Sequence, residues 1–446
     1  MDTIIQEKLV GFRLRDFEPI YSRSLDLGEP LAPRIGNLVK VIVGMRRSGK
    51  SFRLFQEIRA LLNSGVSMDQ ICYFNFEDDR LAPVTTRTGD QVIEAFESLH
   101  PGALARGVYL FLDEIQEMDN WGAWLRRVVD TTRATIYVTG SSSRMLSREI
   151  STEFRGRAID FELLPFSFAE HVAAFMPGVD AVHPSMEERV ALQHEVMAYL
   201  SDGGFPDTHG LPKAQAVALL QSYVERVVSR DVVERHDMGR PRVAAALARR
   251  ILASNAMPFS ARRVEGDLRA AGLGTSRETI GDLMSYFEEA YLVFFVREFS
   301  YSLAETTTSM PKVYAVDPGL ALASARANSN ALGQRLEDAV YLELRRRTEL
   351  GRADSVCSYR TRTGGFEVDF VMGDALTQDL FELCQVSADV SDDRTLSREL
   401  RALWQGMREA GAEEGLLVTL EGGETNHERD GMRVRQVPAW KWLLQT

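Results

Sequence analysis

The sequence has few cysteines and no long apolar run. Its 446 residues include three cysteines, at positions 72, 357 and 384, which are far apart and show no paired spacing. We expect the thiols of Cys72 and Cys384, which lie in apolar strand-like runs, to be reduced and buried. No run of about 18 apolar residues is present, and residues 1–17 lack the apolar segment of a secretory signal. These absences predict a cytoplasmic protein with no membrane association.

Basic residues are also in the minority. Lysine and arginine number 52 against 64 aspartate and glutamate residues, which gives a formal net charge of −12. Such a charge argues against binding nucleic acid or anionic lipid over the whole surface, although a local basic face is compatible with it. The apolar content of 45% and the charged content of 26% are those of an ordinary globular protein. The length predicts about three domains.

A glycine loop follows the first strongly apolar run. The β-branched residues of 39–43 predict a strand, and a helical pattern begins near Lys50. Between them, Gly44, four further residues, Gly49, Lys50 and Ser51 have the spacing of a P-loop. The strand before the loop and the helix after it are the context that this motif requires, whereas the alternative is a chance glycine turn.

The chemistry of a phosphate site explains this spacing. Glycines let the backbone N–H groups turn inward around the β-phosphate, and the following helix presents its N-terminus to the same anion. Lys50 can reach the β- and γ-phosphates, and the hydroxyl of Ser51 can bind Mg²⁺. The side chains of Arg46 and Arg47 could contact phosphate or face solvent. The predicted nucleotide-binding residues are Gly44, Arg46, Arg47, Ser48, Gly49, Lys50, Ser51 and Phe52.

Strands and helices alternate from residue 38 to about residue 165. The strand-like runs are separated by helical patterns, of which the clearest, at 121–129, places its apolar residues on one face. Such alternation is typical of a parallel sheet that helices cover on both faces. The strand-like runs are 38–43, 71–76, 108–112, 135–139 and 158–163.

Two acidic residues follow the third of these runs. Asp113 and Glu114 stand where a buried strand emerges at the carboxyl edge of the sheet, the edge at which ligands bind in open α/β sheets. Asp113 is the predicted partner of Mg²⁺, acting through water or a neighbouring ligand. Glu114 is predicted to polarise the water that attacks the γ-phosphate. The alternative is an acidic pair that merely ends a strand.

Other polar residues are expected near the same edge. Ser141, just after the fourth run, is predicted to face the γ-phosphate, with Thr139 as the second choice and a serine-rich turn as the alternative. Arg157 or Arg155 could act as an arginine finger supplied across a subunit interface, which would require a homo-oligomer. A solvated basic loop is the other interpretation of these two arginines. Additional polar candidates, at the end of the second run, are Asn75, Glu77 and Asp78.

Six motifs in this part of the chain share one resemblance. They read GMRRSGKS, YFNFED, LFLDEIQ, VTGSSS, FRGR and LLPFSFAE, and the sequences GGFP and SRDV follow them further along the chain. Together they resemble AAA-superfamily ATPases of bacteria and archaea that carry a P-loop core, a winged helix and a C-terminal restriction-endonuclease-like domain of unknown function. The resemblance covers about residues 38–445. It implies ATP as the nucleotide, with Lys50, Ser51, Asp113 and Glu114 in the roles given above.

Two further segments lie between the predicted core, 1–165, and the C-terminal region. The pattern of 166–240 is helical, and the resemblance suggests a lid that closes over the nucleotide. Residues 241–316 show two helices, then a capped third helix at 276–289, then two apolar β runs around a loop at 301–311. This order is the pattern of a winged helix.

The predicted winged helix is ambiguous as a DNA-binding unit. Seven arginines lie between residues 240 and 269, a basic region in an acidic chain. The presumed recognition helix, however, carries several acidic residues, which make it a poor surface for phosphate contacts. Packing or contact with a protein is therefore the preferred role, and DNA binding is the alternative. The acidic residues are Glu278, Asp282, Glu288 and Glu289, and the only basic one is Arg277.

The last segment, 330–446, has the order α-β-β-β-α-β of restriction-endonuclease-like domains. Nucleases of this kind need a carboxylate from the helix, an aspartate on the central strand and (D/E)-x-K one strand later, so that carboxylates hold Mg²⁺ and lysine orients water. Glu337 and Asp369 match the first two positions, but QVS, beginning at Gln385, replaces the third. Glu382 would restore a carboxylate without the lysine, and only by a shift of register. We expect the fold to be retained and cleavage to be lost.

The sequence therefore predicts an α/β protein with a P-loop parallel-sheet ATPase core, a helical lid, a winged helix and a small degenerate nuclease-like domain. Its predicted function is Mg²⁺-dependent ATP binding and hydrolysis, coupled to movement of C-terminal domains that act on a protein or DNA partner. Two alternatives are an ATP-gated DNA nuclease and a nucleotide-bound switch or scaffold with little turnover. The predicted catalytic residues are Lys50, Glu114, Ser141 and Arg157, and the predicted metal ligands are Ser51 and Asp113.

Overall fold

The chain divides into two compact units. The computed structural model describes residues 2–141, 156–299, 310–324, 331–348, 355–374 and 379–445. The first unit comprises Met1–Leu164 and Glu289–Tyr291, and the second comprises Pro165–Glu288 and Leu292–Thr446. The first break in the chain therefore falls beside the predicted end of the core at residue 165.

The first unit contains a five-stranded sheet in which every pair of neighbours is parallel. Its order is β2-β3-β4-β1-β5, so β4 lies between the strand that leads into the glycine loop and the strand that ends in the acidic pair. The predicted parallel sheet is thus confirmed. The strands are β1 (Val39–Val43), β2 (Ile71–Asn75), β3 (Val108–Asp113), β4 (Ala134–Gly140) and β5 (Ala158–Glu162).

Helices of this unit pack their apolar faces against the sheet. In the helix Trp121–Thr131 the predicted apolar face is buried, including Trp124 and Val128. Aromatic rings also pack on the strands of the sheet. Phe111 and Tyr137 stack with ring centroids 4.7 Å apart, and Phe12, from the start of the chain, stacks on Tyr73 at 4.5 Å. The segment before β1 is therefore part of the first unit's core. The α-helices are α1 (Asp2–Gly11), α2 (Lys50–Asn63), α3 (Thr86–Leu99), α4 (Ala103–Arg106) and α5 (Trp121–Thr131).

The second unit begins with helices. Within the region of predicted helical pattern, 166–240, α-helical hydrogen bonding of the last helix ends at Arg226 and a π-helix continues through Val227–Glu234. The helical expectation for this region is otherwise met. The α-helices are α6 (Phe168–Phe175), α7 (Met186–Asp202) and α8 (Lys213–Arg226).

Three helices and a small antiparallel sheet follow. The sheet has the order β6-β9-β7, with β9 paired to both neighbours. The loop expected to form a wing, 301–311, lies almost wholly outside the described residues. The elements in chain order are α9 (Pro241–Leu252), β6 (Met257–Pro258), α10 (Ala261–Ala270), α11 (Arg277–Glu289), β7 (Val293–Val296), β8 (Glu298–Phe299) and β9 (Lys312–Ala315).

A seven-stranded mixed sheet organises the rest of the second unit. Its order is β14-β15-β13-β12-β11-β10-β8, so one edge strand comes from before residue 330. Neither that strand nor the two strands after residue 420 were predicted from the sequence, because the first is two residues long and the other two are rich in polar and charged side chains. The elements are α12 (Pro318–Ser324), α13 (Ala331–Arg347), β10 (Ser355–Arg360), β11 (Glu367–Asp374), β12 (Asp379–Ser387), α14 (Asp393–Ala410), β13 (Glu414–Thr419), β14 (Thr425–Arg429), β15 (Met432–Pro438) and α15 (Ala439–Trp442).

The three cysteines are free thiols, and those of Cys72 and Cys384 are buried, as expected. Burial raises the pKa of the Cys72 thiol to about 12, so it is protonated at neutral pH. Among the described residues, no helix combines the length and the apolar character needed to cross a membrane.

The GGFP sequence is held by a buried carboxylate of the second unit. Asp317 accepts hydrogen bonds from the backbone N–H of Gly204 at 2.6 Å and of Leu320 at 3.0 Å. Gly203 has φ of +81°, and a Cβ atom there would lie 2.1 Å from Asp317 Oδ1. Only glycine satisfies both the backbone conformation and this close approach.

We predict that Gly203→Ala strongly destabilises the second unit. To accommodate the added methyl group, Asp317 must move and give up its backbone hydrogen bonds, which should cost about 3 kcal/mol of unfolding free energy. The control is Gly210→Ala, because Gly210 has a similar φ of +74° but open space around its Cβ position, so only backbone strain of about 1 kcal/mol is expected. Urea denaturation measures the unfolding free energy of both variants. Equal losses in the two variants would contradict the prediction.

Candidate functional site

The glycine loop has the conformation that its sequence requires. Gly44 ends β1 with φ of +156°, and a Cβ there would lie 2.1 Å from the carbonyl oxygen of Leu163. Arg47 and Gly49 have φ of +70° and +98°, and α2 begins directly afterwards at Lys50. The loop therefore wraps the N-terminus of α2, where free backbone N–H groups and the helix dipole favour an anion.

Lys50 is buried and spans the loop. Its Nζ donates to the carbonyl oxygens of Gly44 at 3.1 Å and Met45 at 3.2 Å, and it lies 3.5 Å from Glu114 Oε1. The ammonium group is thus held at the loop by neutral carbonyls and by one carboxylate. A phosphate group could replace these acceptors, because it offers stronger, charged oxygens.

Asp113 is fully buried at the end of β3 and collects hydrogen bonds from four side chains. Ser51 Oγ, 62 positions earlier in the chain, donates to Asp113 Oδ2 at 2.6 Å. Burial raises the pKa of Asp113, the neighbouring charge of Glu114 raises it further, and the donated hydrogen bonds act in the opposite direction. The structure therefore brings both predicted metal ligands into contact. The other donors are Tyr73 Oη at 2.8 Å, Asn75 Nδ2 at 3.1 Å and Thr139 Oγ1 at 2.5 Å.

Glu114 occupies a conformation that is unusual for its type. Its φ of +51° is left-handed, and its backbone N–H donates to Thr139 Oγ1 at 2.8 Å. Gln116 Nε2 donates to its carboxylate. Burial acts to raise the pKa of Glu114, but the positive charges of Lys50 and Arg46 outweigh it and the pKa is lowered. The side chain is therefore ionised at neutral pH, as a general base must be.

The two candidates for facing the γ-phosphate differ in their hydrogen bonds. Thr139 Oγ1 donates to Asp113 and accepts from the N–H of Glu114, so the hydroxyl proton and one lone pair are used inside the acidic pair. Ser141 is fully buried, and its Oγ accepts from Gln116 Nε2 at 3.4 Å. Both residues lie at the carboxyl edge of β4.

The other predicted residues of the loop and the sheet edge differ in their surroundings. The guanidinium of Arg46 lies between Glu77 Oε1 at 2.8 Å and Glu117 Oε1 at 3.3 Å. Arg47 is exposed, and the ring of Phe52, which is 41% exposed, packs edge-on against Phe55. Asp78, a further polar candidate, forms an ion pair with Lys8 at 2.9 Å.

Arg157 lies at the opposite edge of the sheet from the glycine loop. It precedes β5, whose first residue is in register with Val39 at the start of β1, and its carbonyl accepts from the N–H of Val39 at 2.9 Å. Its side chain is half exposed and paired with Asp130. It therefore does not join the site of its own chain. Arg155 lies outside the described residues.

Sequence reasoning missed Arg23, which supports the loop from behind. Its guanidinium donates to the carbonyl oxygens of Ser48 at 2.7 Å and Leu164 at 2.6 Å, and the side chain is buried. An isolated arginine in a glycine- and proline-containing lead-in gives no local signal of this role. Tyr73 and Gln116 were missed for the same reason, because their contacts are tertiary.

Comparisons with known proteins place this geometry in context. Residues 36–172 match the family described as an AAA domain, and residues 193–331 match a domain of unknown function. The uncharacterized protein MJ1544 of Methanocaldococcus jannaschii is 30% identical over 421 residues, which cover 92% of this chain and 89% of the relative. An uncharacterized protein of Haemophilus influenzae is 25% identical over 412 residues, with 92% and 95% coverage.

Solved structures with lower similarity were also found. The Walker-type ATPase PABY2304 of Pyrococcus abyssi is 16% identical with a TM-score of 0.43, and the match covers 65% of this chain and 91% of that chain. The ORC1 protein of Aeropyrum pernix, solved in complex with DNA, is 15% identical with a TM-score of 0.25, and the match covers 69% and 87%.

We predict that Arg23→Met lowers the stability of the first unit by about 2 kcal/mol. The substitution keeps an apolar stem but leaves two buried carbonyl oxygens without their donor. Arg34→Met is the control, since Arg34 is exposed and donates to Asn37 Oδ1, so a change within about 0.5 kcal/mol is expected. Urea denaturation gives the free energies, and hydrogen exchange should show faster opening near Ser48. Unchanged stability of the Arg23 variant would contradict the assigned support.

Proposed function

The chain belongs to a family of AAA-domain proteins that includes MJ1544 of Methanocaldococcus jannaschii, and we propose that it binds ATP with Mg²⁺ and hydrolyses it to ADP and phosphate. The observation that carries the proposal is the convergence of Lys50, Ser51, Asp113 and Glu114 at the end of one loop and one strand. These four residues come from two distant parts of the sequence, and each has the chemistry that phosphate hydrolysis needs.

The loop supplies the phosphate site in this proposal. Backbone N–H groups at the start of α2 face the β-phosphate, and Lys50 exchanges its carbonyl acceptors for phosphate oxygens. Mg²⁺ prefers oxygen ligands, and the hydroxyl of Ser51 beside the carboxylate of Asp113 is such a set. Ser51 and Asp113 would hold the ion, which neutralises phosphate charge when bound.

Glu114 is the proposed base. Its ionised carboxylate is paired with Lys50 in the nucleotide-free chain, so phosphate that recruits the lysine leaves Glu114 to orient water. We assign Ser141 the γ-phosphate contact, because Gln116 links its hydroxyl to Glu114. Thr139 is a positioning residue, because its hydroxyl is committed to holding the acidic pair.

Arg157 would act on a second copy of the chain. Its position at the far edge of the sheet excludes it from its own site, while its half-exposed guanidinium forms a surface ion pair with Asp130 that costs little to break. An arginine finger in trans, and hence a homo-oligomer, is consistent with this placement.

In this proposal, ATP hydrolysis in the first unit is coupled to movement of the second unit, which acts on a partner. The order α9, β6, α10, α11, β7, β9 and the sheet order β6-β9-β7 support a winged helix, after a helical lid. The exposed residues of α11 include Glu278, Asp282 and Glu288, while Arg277 is paired with Glu265 at 2.9 Å. This acidic face favours a protein partner over DNA, because phosphate would be repelled.

The C-terminal sheet supports a restriction-endonuclease-like fold without cleavage. Gln385 fills the acidic position of the motif, and both ends of its side-chain amide are engaged: Oε1 accepts from the N–H of Asp369 at 3.2 Å and Nε2 donates to Glu399 at 2.9 Å. An ATP-gated nuclease is therefore the disfavoured alternative. A switch or scaffold with little turnover is distinguished from an ATPase by the Glu114 variant below.

We predict that Glu114→Gln keeps Mg-ATP binding but slows hydrolysis about 100-fold or more, because the amide cannot accept the proton of water. Lys50→Ala should weaken Mg-ATP binding at least about tenfold, because the phosphates lose their charged donor. Phosphate release and calorimetric titration measure the two effects. Glu94→Gln, an exposed substitution on α3, is the control with wild-type behaviour. Full hydrolysis in Lys50→Ala would refute the ATPase proposal. A Glu114→Gln variant that does not hydrolyse ATP but still acts fully on the partner would support the switch.

A mixing experiment tests the trans role of Arg157. Lys50→Ala and Arg157→Ala are each expected to be inactive alone, but hybrids contain one site with an intact loop and an intact finger. In a dimer, an equal mixture should recover about a quarter of wild-type activity. A mixture of Lys50→Ala with Glu114→Gln is the control, since no hybrid has a complete site. Full activity of Arg157→Ala alone, or no recovery on mixing, would contradict the assignment.

A further inference from the structure

A lysine of the small sheet lies among three acids of the C-terminal domain. Lys312, the first residue of β9, has its Nζ 3.0 Å from Glu337 on α13 and 2.7 Å from Glu367 on β11. It is also 3.5 Å from Asp369, two residues further along β11, and its side chain is only 8% exposed. All four residues belong to the second unit, although Lys312 precedes 330–446, the segment that the nuclease-like pattern covers.

Each of these acids also accepts a hydrogen bond from a second donor of the chain. Tyr314, two residues after Lys312 on the same strand, donates to Glu337 Oε1 at 2.7 Å. The N–H of Val386 donates to Asp369 Oδ2 at 2.9 Å, and Arg360 donates to Glu367 Oε2 at 3.2 Å. Besides Lys312, the chain itself therefore supplies one further donor to each of the three acids.

The residues do not fit the metal that the resemblance implies. A divalent ion needs several oxygen ligands at about 2.0–2.6 Å around one point, and here an ammonium group occupies the space between Glu337 and Asp369. Among the described residues, no group of three or more acidic, histidine or cysteine side chains is arranged to hold a metal ion. The missing lysine of the sequence motif is thus only part of the change at this site.

We propose that the ammonium group of Lys312 is a tethered cation that takes the place of the divalent metal and closes the acidic site to metal ions. It also ties β9 to α13 and β11 through one charged group. A cation supplied by the chain cannot be removed by chelators or exchanged, so the site becomes a fixed structural centre.

The charges around the site agree with this assignment. Burial acts to lower the pKa of Lys312, but the carboxylates of Glu337, Asp369 and Glu367 outweigh it, and the pKa is raised. Burial and the charge of Glu337 raise the pKa of Asp369 to about 8. The protonated lysine is therefore the resident positive charge, and its removal leaves the buried acids without the cation that offsets the cost of burying them.

Metal rescue of Lys312→Ala tests the inference. The full-length variant should melt about 5 °C or more below wild type, and millimolar Mn²⁺ without nucleotide should restore at least half of that loss. Wild type should show no such shift. Lys312→Ala with Asp369→Asn should not be rescued, because one ligand is gone. Lys40→Ala is the matched control, and Mn²⁺ should not rescue it. Lys40 is equally buried, but its Nζ donates to the carbonyl oxygens of Gly28 and Glu29 and not to carboxylates.

Two outcomes would overturn the proposal. One is a folded Lys312→Ala variant whose melting temperature does not respond to Mn²⁺. The other can be read without that variant: Mn²⁺ binding to wild type that Asp369→Asn or Glu337→Gln abolishes would show that the lysine does not exclude metal. Equal Mn²⁺ binding by wild type and these two variants is the expected result. Mn²⁺ bound at Ser51 and Asp113 contributes equally in wild type and in the two variants, so it does not affect this comparison.

Discussion

The contact between the Ser51 hydroxyl and the Asp113 carboxylate organises the first unit's chemistry. It joins the first turn of α2 to the end of β3 across β4, and it can form only because the parallel sheet aligns the carboxyl ends of its strands. The same alignment brings Glu114 within reach of Lys50 and sets Thr139 against both acids. A buried carboxylate with four donors is costly to assemble, and groups with such perturbed ionisation cluster at functional sites.

Sequence reasoning was most successful where a signal is local. Glycine spacing, apolar runs and the acidic pair specified the loop and all five strands of the first sheet to within a residue or two. It was least successful for contacts that join distant segments. Arg23 meets Leu164 across 141 positions and Lys312 meets Asp369 across 57, and no periodicity records either pair. The edge strands β8 and β14, and β15 beside β14, were missed because they are short or rich in charged side chains.

Two buried lysines show how the same group serves different ends. Lys50 is held by two carbonyl oxygens and one carboxylate at the mouth of a loop, so a more strongly charged ligand can take it over. Lys312 is held by three carboxylates, of which two are closer than 3.1 Å, and an incoming anion would have to displace all of them. The first arrangement suits a binding site, and the second suits a fixed structural centre.

The most direct test of the central claim is calorimetric titration of wild-type protein with a non-hydrolysable ATP analogue, with Mg²⁺ and then with EDTA. The account predicts one binding site per chain whose affinity falls when Mg²⁺ is removed, and a Ser51→Ala variant in which this dependence on Mg²⁺ is largely lost. Absence of binding heat in the wild-type protein with Mg²⁺, or binding that is unaffected by both changes, would contradict it.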